Sequence, residues 1–276
     1  MTLPAAMKIA CIQMSARPTW QENSITLQNS IAQAAAQGAT TVLLPEDFAA
    51  IAGDQAQRQV VSHPDTTTSI CNSLKQWAKE HSIWLIAGGF LYHSEHQHPL
   101  PYNRCLVINP DGCIVTHYDK IHLFDADVDD GISYRESNYV RPGMQPTTVD
   151  IEAWRLGLSI CYDLRFPELY RHYSRQGCHA LVVPAAFTHT TGQAHWEVLL
   201  RARAIENQCY VIAAGQSGHH AGARRTWGHS MVIDPWGKII AQCAEEDNAI
   251  ITATLDPTLL TQCRTQLPTL PHRRMG

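Results

Sequence analysis

Leu156-Gly-Leu-Ser-Ile-Cys161-Tyr-Asp-Leu-Arg165-Phe-Pro-Glu-Leu169 is the stretch on which the reading of this chain turns. A short apolar run, the mark of a buried strand, leads straight into a cysteine and then into a helix-like segment. A strand that ends on a sharp turn at a helix N-terminus presents the side chain at its tip. The dipole and free N–H groups there favour a thiolate and, later, an oxyanion. Cys161 is therefore the candidate nucleophile, and strand–turn–helix is the grammar of an α/β protein.

The chain on either side keeps that grammar. After Cys161, residues 166–176 read as a helix stopped by Gly177, 180–184 as a strand, 194–207 as a helix and 209–215 as a strand. Residues 229–234 and 239–243 flank Pro235-Trp-Gly237, a hairpin signal. A last strand at 249–255 precedes a short helix opened by Pro257. Before Cys161, strands are expected at 8–14, 41–44 and 83–90. A helix at 24–37 carries Leu27, Ile31 and Ala35 on one face, and Gly38 ends it; a second, at 66–81, buries Ile70, Leu74, Trp77 and Ala78. Residues 104–109 and 113–118 flank Pro110-Asp-Gly112, a further hairpin. Each half thus gives β-α-β-α-β and a hairpin, with no Pro-, Gly- or Ser-rich linker between them. The expected architecture is one domain over 1–276, a four-layer α-β-β-α sandwich with two sheets face to face and helices outside.

The bulk numbers suit an ordinary soluble globular protein. The chain has 276 residues, is 45% hydrophobic and carries a net charge of −4 without a basic stripe. Nucleic acid is not an expected partner. No apolar run approaches the length of a membrane span, and Met1–Met7 lacks the basic start and apolar stretch of a signal peptide. Met7 is itself an alternative start. Nine cysteines, several inside strand-like runs and none in a Cys-x-x-Cys pair, point to free thiols in a reducing, cytoplasmic setting.

Acyl transfer by cysteine needs a base to take the thiol proton and positive groups for the tetrahedral oxyanion. Glu46 ends the run Val42-Leu-Leu-Pro-Glu46 and is the base candidate, expected at a sheet edge and partly desolvated. Lys120 follows a strand in Tyr118-Asp-Lys-Ile-His-Leu-Phe124 and is the oxyanion candidate, with the backbone N–H of Tyr162 as second donor. Taken singly, the three have bland readings: an inert core cysteine, a strand-end carboxylate and a solvated lysine. Their joint occurrence carries the case. Arg165, four residues after Cys161, is placed to hold a substrate carboxylate in a bidentate pair, or else to pair with Asp163 or Glu168. Phe187 and Thr188 follow a strand and fall in an expected substrate-facing loop. Glu197 reads as structural. His219-His-Ala-Gly-Ala-Arg-Arg225 reads as a polar loop at the mouth of the site, and the histidines of Tyr92-His-Ser-Glu-His-Gln-His98 as a solvated loop rather than metal ligands.

These segments resemble the signature regions of the nitrilase, or carbon–nitrogen hydrolase, superfamily, and the likeness runs from Lys8-Ile-Ala-Cys-Ile-Gln-Met14 to Pro235-Trp-Gly237. The resemblance implies a Glu-Lys-Cys catalytic set on Glu46, Lys120 and Cys161. It adds a second glutamate, Glu136 in Tyr134-Arg-Glu-Ser137, that positions the lysine and substrate. It implies no metal or organic cofactor, a small-molecule amide substrate, and a homodimer or larger homo-oligomer formed through the sheet-flanking helices. Nitrile-cleaving members usually carry Trp after the nucleophile, where this chain has Tyr162-Asp163. Cys161-Tyr-Asp-Leu-Arg-Phe-Pro-Glu168 looks like the Nit branch, amidases of α-keto acid amides. Within it, residues 194–211, 228–237 and His272-Arg-Arg274 are more similar to the type that acts on deaminated glutathione. Much of this sequence is shared with ω-amidases acting on α-ketoglutaramate, which stay the alternative, with other small aliphatic amides behind them.

Overall fold

In the computed structural model, which describes residues 4–93, 99–244 and 248–275, alternation along the first strand sets the layers. Ile9 and Cys11 belong to one hydrophobic core, while Ala10 and Ile12 belong to another. Successive strand residues face opposite sides of a sheet, so this sheet is covered on both faces, as parallel strands require.

The first half runs β1 (Met7–Gln13), α1 (Trp20–Ala36), β2 (Thr41–Leu43), α2 (Gln55–Val61), α3 (Pro64–Glu80), β3 (Trp84–Tyr92), β4 (Tyr102–Ile108) and β5 (Ile114–Asp119). A small hairpin follows, β6 (Asp125–Asp127) with β7 (Ser133–Arg135). The second half runs β8 (Thr148–Ile151), β9 (Trp154–Leu158), α4 (Pro167–Arg175), β10 (Ala180–Ala185), α5 (His189–Asn207) and β11 (Tyr210–Gly215). After a second small hairpin of β12 (Ser217–His219) and β13 (Arg225–Trp227) come β14 (Met231–Ile233), β15 (Ile239–Gln242), β16 (Ala249–Leu255) and α6 (Pro257–Gln266).

One sheet has the order β16-β1-β2-β3-β4-β5 and the other β15-β14-β11-β10-β9-β8. They pack face to face, β1 against β11 and β3 against β10. Ile9, Leu43 and Ile86 of one sheet share a core with Leu156, Leu158 and Val182 of the other. Leu27 and Ile31 on α1, with Ile70, Leu74 and Trp77 on α3, cover the outside of the first sheet. Tyr170 and Tyr173 on α4, with Trp196 and Leu200 on α5, belong to the core of the second. This is the four-layer α-β-β-α sandwich expected from the sequence.

The differences have local causes. Helix α1 starts at Trp20 rather than 24, because the Thr19 hydroxyl caps it by accepting the Glu22 N–H at 3.4 Å. Helix α5 starts at His189 rather than 194, carrying Gly192 through its first turns. A Cβ there would lie 2.3 Å from that of Trp227. Helix α2, strand β8 and the two small hairpins are short and weakly patterned, and were not foreseen. Strand β16 does not extend the second sheet; it returns to pair antiparallel with β1 from Met7–Leu255 to Gln13–Ala249. Among the described residues no helix is long and apolar enough to cross a membrane.

Candidate active site

Strand direction gathers the site. β1, β2 and β3 are parallel, and β5 runs the same way as β3 because both are antiparallel to β4. β9 and β10 are parallel to each other in the facing sheet. Glu46, Lys120, Cys161 and Ala186 each follow the carboxyl end of one of these strands, the end at which open α/β sheets place their ligands.

The Lys120 ammonium is the hub. It donates to Glu46 Oε1 at 2.8 Å and to Glu136 at 2.8 Å (Oε2) and 3.0 Å (Oε1). Asn103, on β4, donates through one Nδ2 to both carboxylates, at 2.9 Å to Glu46 and 3.1 Å to Glu136. The remaining Glu46 oxygen accepts the Ala186 N–H from the other sheet at 2.8 Å, and Glu136 Oε2 accepts the Phe124 N–H at 2.7 Å. The Cys161 thiol lies beside the Glu46 carboxylate and interacts with it. All four predicted groups thus form one contiguous, buried cluster.

Burial is deeper than the sequence implied. Glu46 is only 3% exposed, since β2 is an interior strand rather than a margin of the sheet. The approach of the two sheets here depends on Gly88, where a Cβ would fall 2.4 Å from the Leu44 carbonyl oxygen and 2.6 Å from Pro184 Cβ. At Gly89 a Cβ would fall 2.0 Å from Asn103 Oδ1.

Burial alone would raise the Glu46 carboxyl, but the Lys120 charge and hydrogen bond, the adjacent Cys161 thiol and the Arg224 charge outweigh it, and the net direction is down. Burial alone would push the Lys120 ammonium toward neutrality; the Glu136 and Glu46 carboxylates instead hold it well above the usual lysine range. Burial and the adjacent Glu46 charge push the Cys161 thiol well above its ordinary value, against the pull of Lys120. The expectation of a helix-stabilised thiolate is therefore corrected. Cys161 opens a 3₁₀ turn, Cys161–Arg165, with φ of +48° in the left-handed region, and α4 starts only at Pro167. The resting pair is a thiol beside a carboxylate.

Asp163 ties that turn to the lysine's strand. Its carboxylate accepts from the Ile160 N–H at 2.8 Å, the Tyr118 hydroxyl at 2.7 Å and the His122 N–H at 3.0 Å, and meets His122 Nδ1 at 2.7 Å. His122 in turn stacks on Phe166, ring centroids 3.6 Å apart. Asp163 is thus spent inside the turn and not on Arg165.

The cluster forms the floor of a cleft that opens between the two sheets' strand ends. Tyr162, Arg165, Phe187 and Thr188 all line it. The Arg165 guanidinium lies over the Phe187 and Tyr162 rings, 5.1 and 5.8 Å from their centroids, with Nη1 3.3 Å from His195 Nδ1. Sequence reasoning missed Asn103, Asp47 and Arg58 here and did not single out Arg224. Arg224 reaches from the polar loop to Asp47 Oδ2 at 3.2 Å and the Ala186 carbonyl at 3.1 Å. Burial, opposed by Arg224 and reinforced by Glu46, pushes the Asp47 carboxyl up to about 7. Adjacency to Glu46 was the signal available for Asp47; Asn103 and Arg58 had none in spacing.

The comparisons with known proteins agree with this geometry. Residues 8–265 match the carbon-nitrogen hydrolase family model. The chain is 44% identical over 266 residues to the deaminated glutathione amidase of Synechocystis sp., covering 96% of this chain and 97% of that one. The crystal structure of the C. elegans NitFhit protein superposes with a TM-score of 0.91 at 38% identity, covering 99% of this chain and 66% of that one. This chain therefore spans just under two thirds of that protein. Saccharomyces cerevisiae Nit3, a member of branch 10 of the nitrilase superfamily, superposes with a TM-score of 0.86 at 31% identity over 96% of each chain.

The chain belongs to the carbon-nitrogen hydrolase family. As a carbon-nitrogen hydrolase it is an amidase, and its chemistry is cleavage of an amide C–N bond. Other sequence expectations fall outside the cleft. In this hydrolase Glu197 pairs along α5 with Arg201 at 3.2 Å, a half-exposed contact consistent with a structural role. His220 meets the Ala16 carbonyl at 3.1 Å and Thr226 Oγ1 at 2.7 Å, which anchors the Arg224 loop. Of the histidine-rich loop, residues 94–98 lie outside the described residues. Among the described residues no group of three or more His, Cys, Asp or Glu side chains is placed to hold a metal ion.

Proposed function

We propose that this carbon-nitrogen hydrolase, one domain over 1–276, acts on a small α-keto acid amide, deaminated glutathione, through a thioester on Cys161. One observation carries the reading: a buried thiol beside a carboxylate that is itself hydrogen-bonded to a buried lysine, at the floor of a cleft lined by Arg165. Glu46 takes the thiol proton as sulfur attacks the amide carbonyl carbon. Lys120 and the Tyr162 N–H hold the oxygen as it becomes an oxyanion, and Glu136 holds Lys120. The C–N bond breaks as Glu46 returns the proton to the leaving nitrogen. Glu46 then removes a proton from water, which attacks the thioester and releases the acid and the thiol. Arg165 holds the α-keto carboxylate, and its lack of a carboxylate partner among the described residues supports that role.

The substrate is supported by the names of relatives such as the Synechocystis enzyme. A cytoplasmic, reducing location is supported by nine free cysteines. A homodimer or larger assembly is supported by the exposed Val198 and Ile205 on α5 and the exposed Trp236. The test is α-ketoglutarate release from deaminated glutathione and from α-ketoglutaramate, with Cys161→Ala as control. Preference for deaminated glutathione, lost in Cys161→Ala with the fold intact, is expected. Preference for α-ketoglutaramate moves the assignment to ω-amidase. Activity near wild type in Cys161→Ala overturns the mechanism.

A further inference from the structure

The cleft holds three guanidinium groups, Arg58, Arg165 and Arg224. Arg224 is committed to Asp47 and the Ala186 carbonyl. Arg165 is assigned above to the α-keto carboxylate. Arg58 is left over. It stands on α2, one of the elements that sequence patterning missed, and its guanidinium lies 4.7 Å from the centroid of the Tyr139 ring. Its Nε is buried with no hydrogen-bond partner. Among the described residues no carboxylate pairs with it.

A buried guanidinium donor without an acceptor is costly, and a planar fork seated over an aromatic ring is a preformed carboxylate receptor. The ring restricts the side chain before ligand arrives, which reduces the ordering cost of binding. Tyr139 in turn follows the Glu136–Asn138 turn, so the platform is built on the same segment that holds Lys120.

We infer that Arg58, seated on Tyr139, is the specificity residue for the leaving group and binds the terminal carboxylate of a peptide-like amine. This rests on the α-keto acid amide reading above and deepens it. An α-keto acid amide that releases ammonia carries one carboxylate, and Arg165 alone answers it. Deaminated glutathione carries two, one on each side of the scissile bond, and the cleft has two uncommitted guanidinium groups. Arg165, in the nucleophile's own turn, suits the short acyl arm. Arg58, on the partly exposed α2, suits the longer arm that must leave first. On this account the second arginine is what separates a dipeptide-releasing amidase from an ammonia-releasing one.

The experiment compares kcat/KM for deaminated glutathione with kcat/KM for the same compound capped as its C-terminal glycinamide, in wild type, Arg58→Gln and Arg58→Lys. The scissile bond and acyl arm are identical, so only the terminal charge differs. Wild type is expected to prefer the free acid by about 10- to 100-fold, the range for a hydrogen bond to a charged group. Most of the difference should lie in KM, because the interaction is made equally in ground and transition states. In Arg58→Gln the preference should collapse to about one, and Arg58→Lys should restore part of it. Equal losses on both substrates, or no preference in wild type, overturn the inference while leaving the amidase assignment standing. A wild type that cleaves neither compound overturns the substrate reading itself, and this proposal with it. Thermal melting of both variants separates a local fold defect from lost recognition.

Discussion

Lys120 Nζ lies 2.8 Å from Glu46 Oε1, although the two residues are 74 apart in sequence and come from different strands. The contact joins the proposed oxyanion group to the proposed base. It also explains how a carboxylate survives ionised at 3% exposure beside a neutral thiol. The ammonium neutralises one of the two carboxylates it touches, and Asn103, Ala186 and Phe124 supply hydrogen bonds to the rest.

Removing that ammonium therefore should harm the fold as well as the chemistry. Lys120→Met leaves Glu46 and Glu136 facing each other without their shared counter-ion. A broken buried pair of this kind costs about 3–5 kcal/mol. Urea denaturation of the variant should show a loss of that order, with turnover abolished. A variant as stable as wild type would mean that the lysine is not balancing these carboxylates.

Gly89→Ala tests the close packing behind the site. The new methyl would fall 2.0 Å from Asn103 Oδ1, so Asn103 must move, and its Nδ2 is the bridge between both glutamates. Overpacking of this kind costs about 1–3 kcal/mol. The expected result is a lower melting temperature with a larger proportional fall in kcat than in substrate affinity. Unchanged kcat would show that the Asn103 bridge is dispensable.

The sequence displayed the layers clearly, and for physical reasons. Strands such as 180–184 are buried on both faces and read as unbroken apolar runs, and helices such as 66–81 carry a regular buried stripe. Glu46 and Cys161 stand out because each follows such a run at its carboxyl end, whereas Lys120 follows the partly exposed edge strand β5 and stands out only beside the other two. What stayed hidden depends on contacts between distant segments. Asn103 lies inside a strand and looks like a solvated polar residue until two carboxylates close on it. Arg58 lies on a helix of seven residues, too short to show a stripe. The protonated state of Cys161 follows from its burial between the sheets and from a carboxylate 115 positions away, which no local pattern encodes.

Asp47 gives the fold a pH dependence of its own. Its carboxyl is pushed up to about 7, so the native state holds a proton that the unfolded chain, with an aspartate near about 3.9, releases. Between those values the native state binds more protons, and its contribution to stability falls as pH rises toward 7. Arg224 and the partial exposure of Asp47 temper the effect. Urea midpoints taken at pH 5 and pH 8 should differ in the sense of greater stability at pH 5 for this residue's share. Asp47→Asn should reduce that difference; an unaltered difference would exclude Asp47 as its source.

Activity should have the opposite dependence on acid. Glu46 works as the base only when ionised, and its carboxyl is held below the ordinary glutamate range by Lys120 despite burial. A depressed carboxylate contributes stability and reactivity above its unfolded value, and both are lost as pH falls through its folded value. The acid limb of kcat/KM should therefore lie below about 4.3, the ordinary glutamate value. The thiol ionises well above its ordinary range, so no alkaline limb from Cys161 should appear near about 8.5, the ordinary cysteine value. The profile should be flat across neutrality. In Glu136→Gln, Lys120 has only one carboxylate left to serve and grips Glu46 harder, so any measurable acid limb should move lower still. An acid limb near 6, or a rise in rate through 8.5, would mean that the working pair is a thiolate and a protonated partner, and the proton route from Cys161 to Glu46 would have to be abandoned.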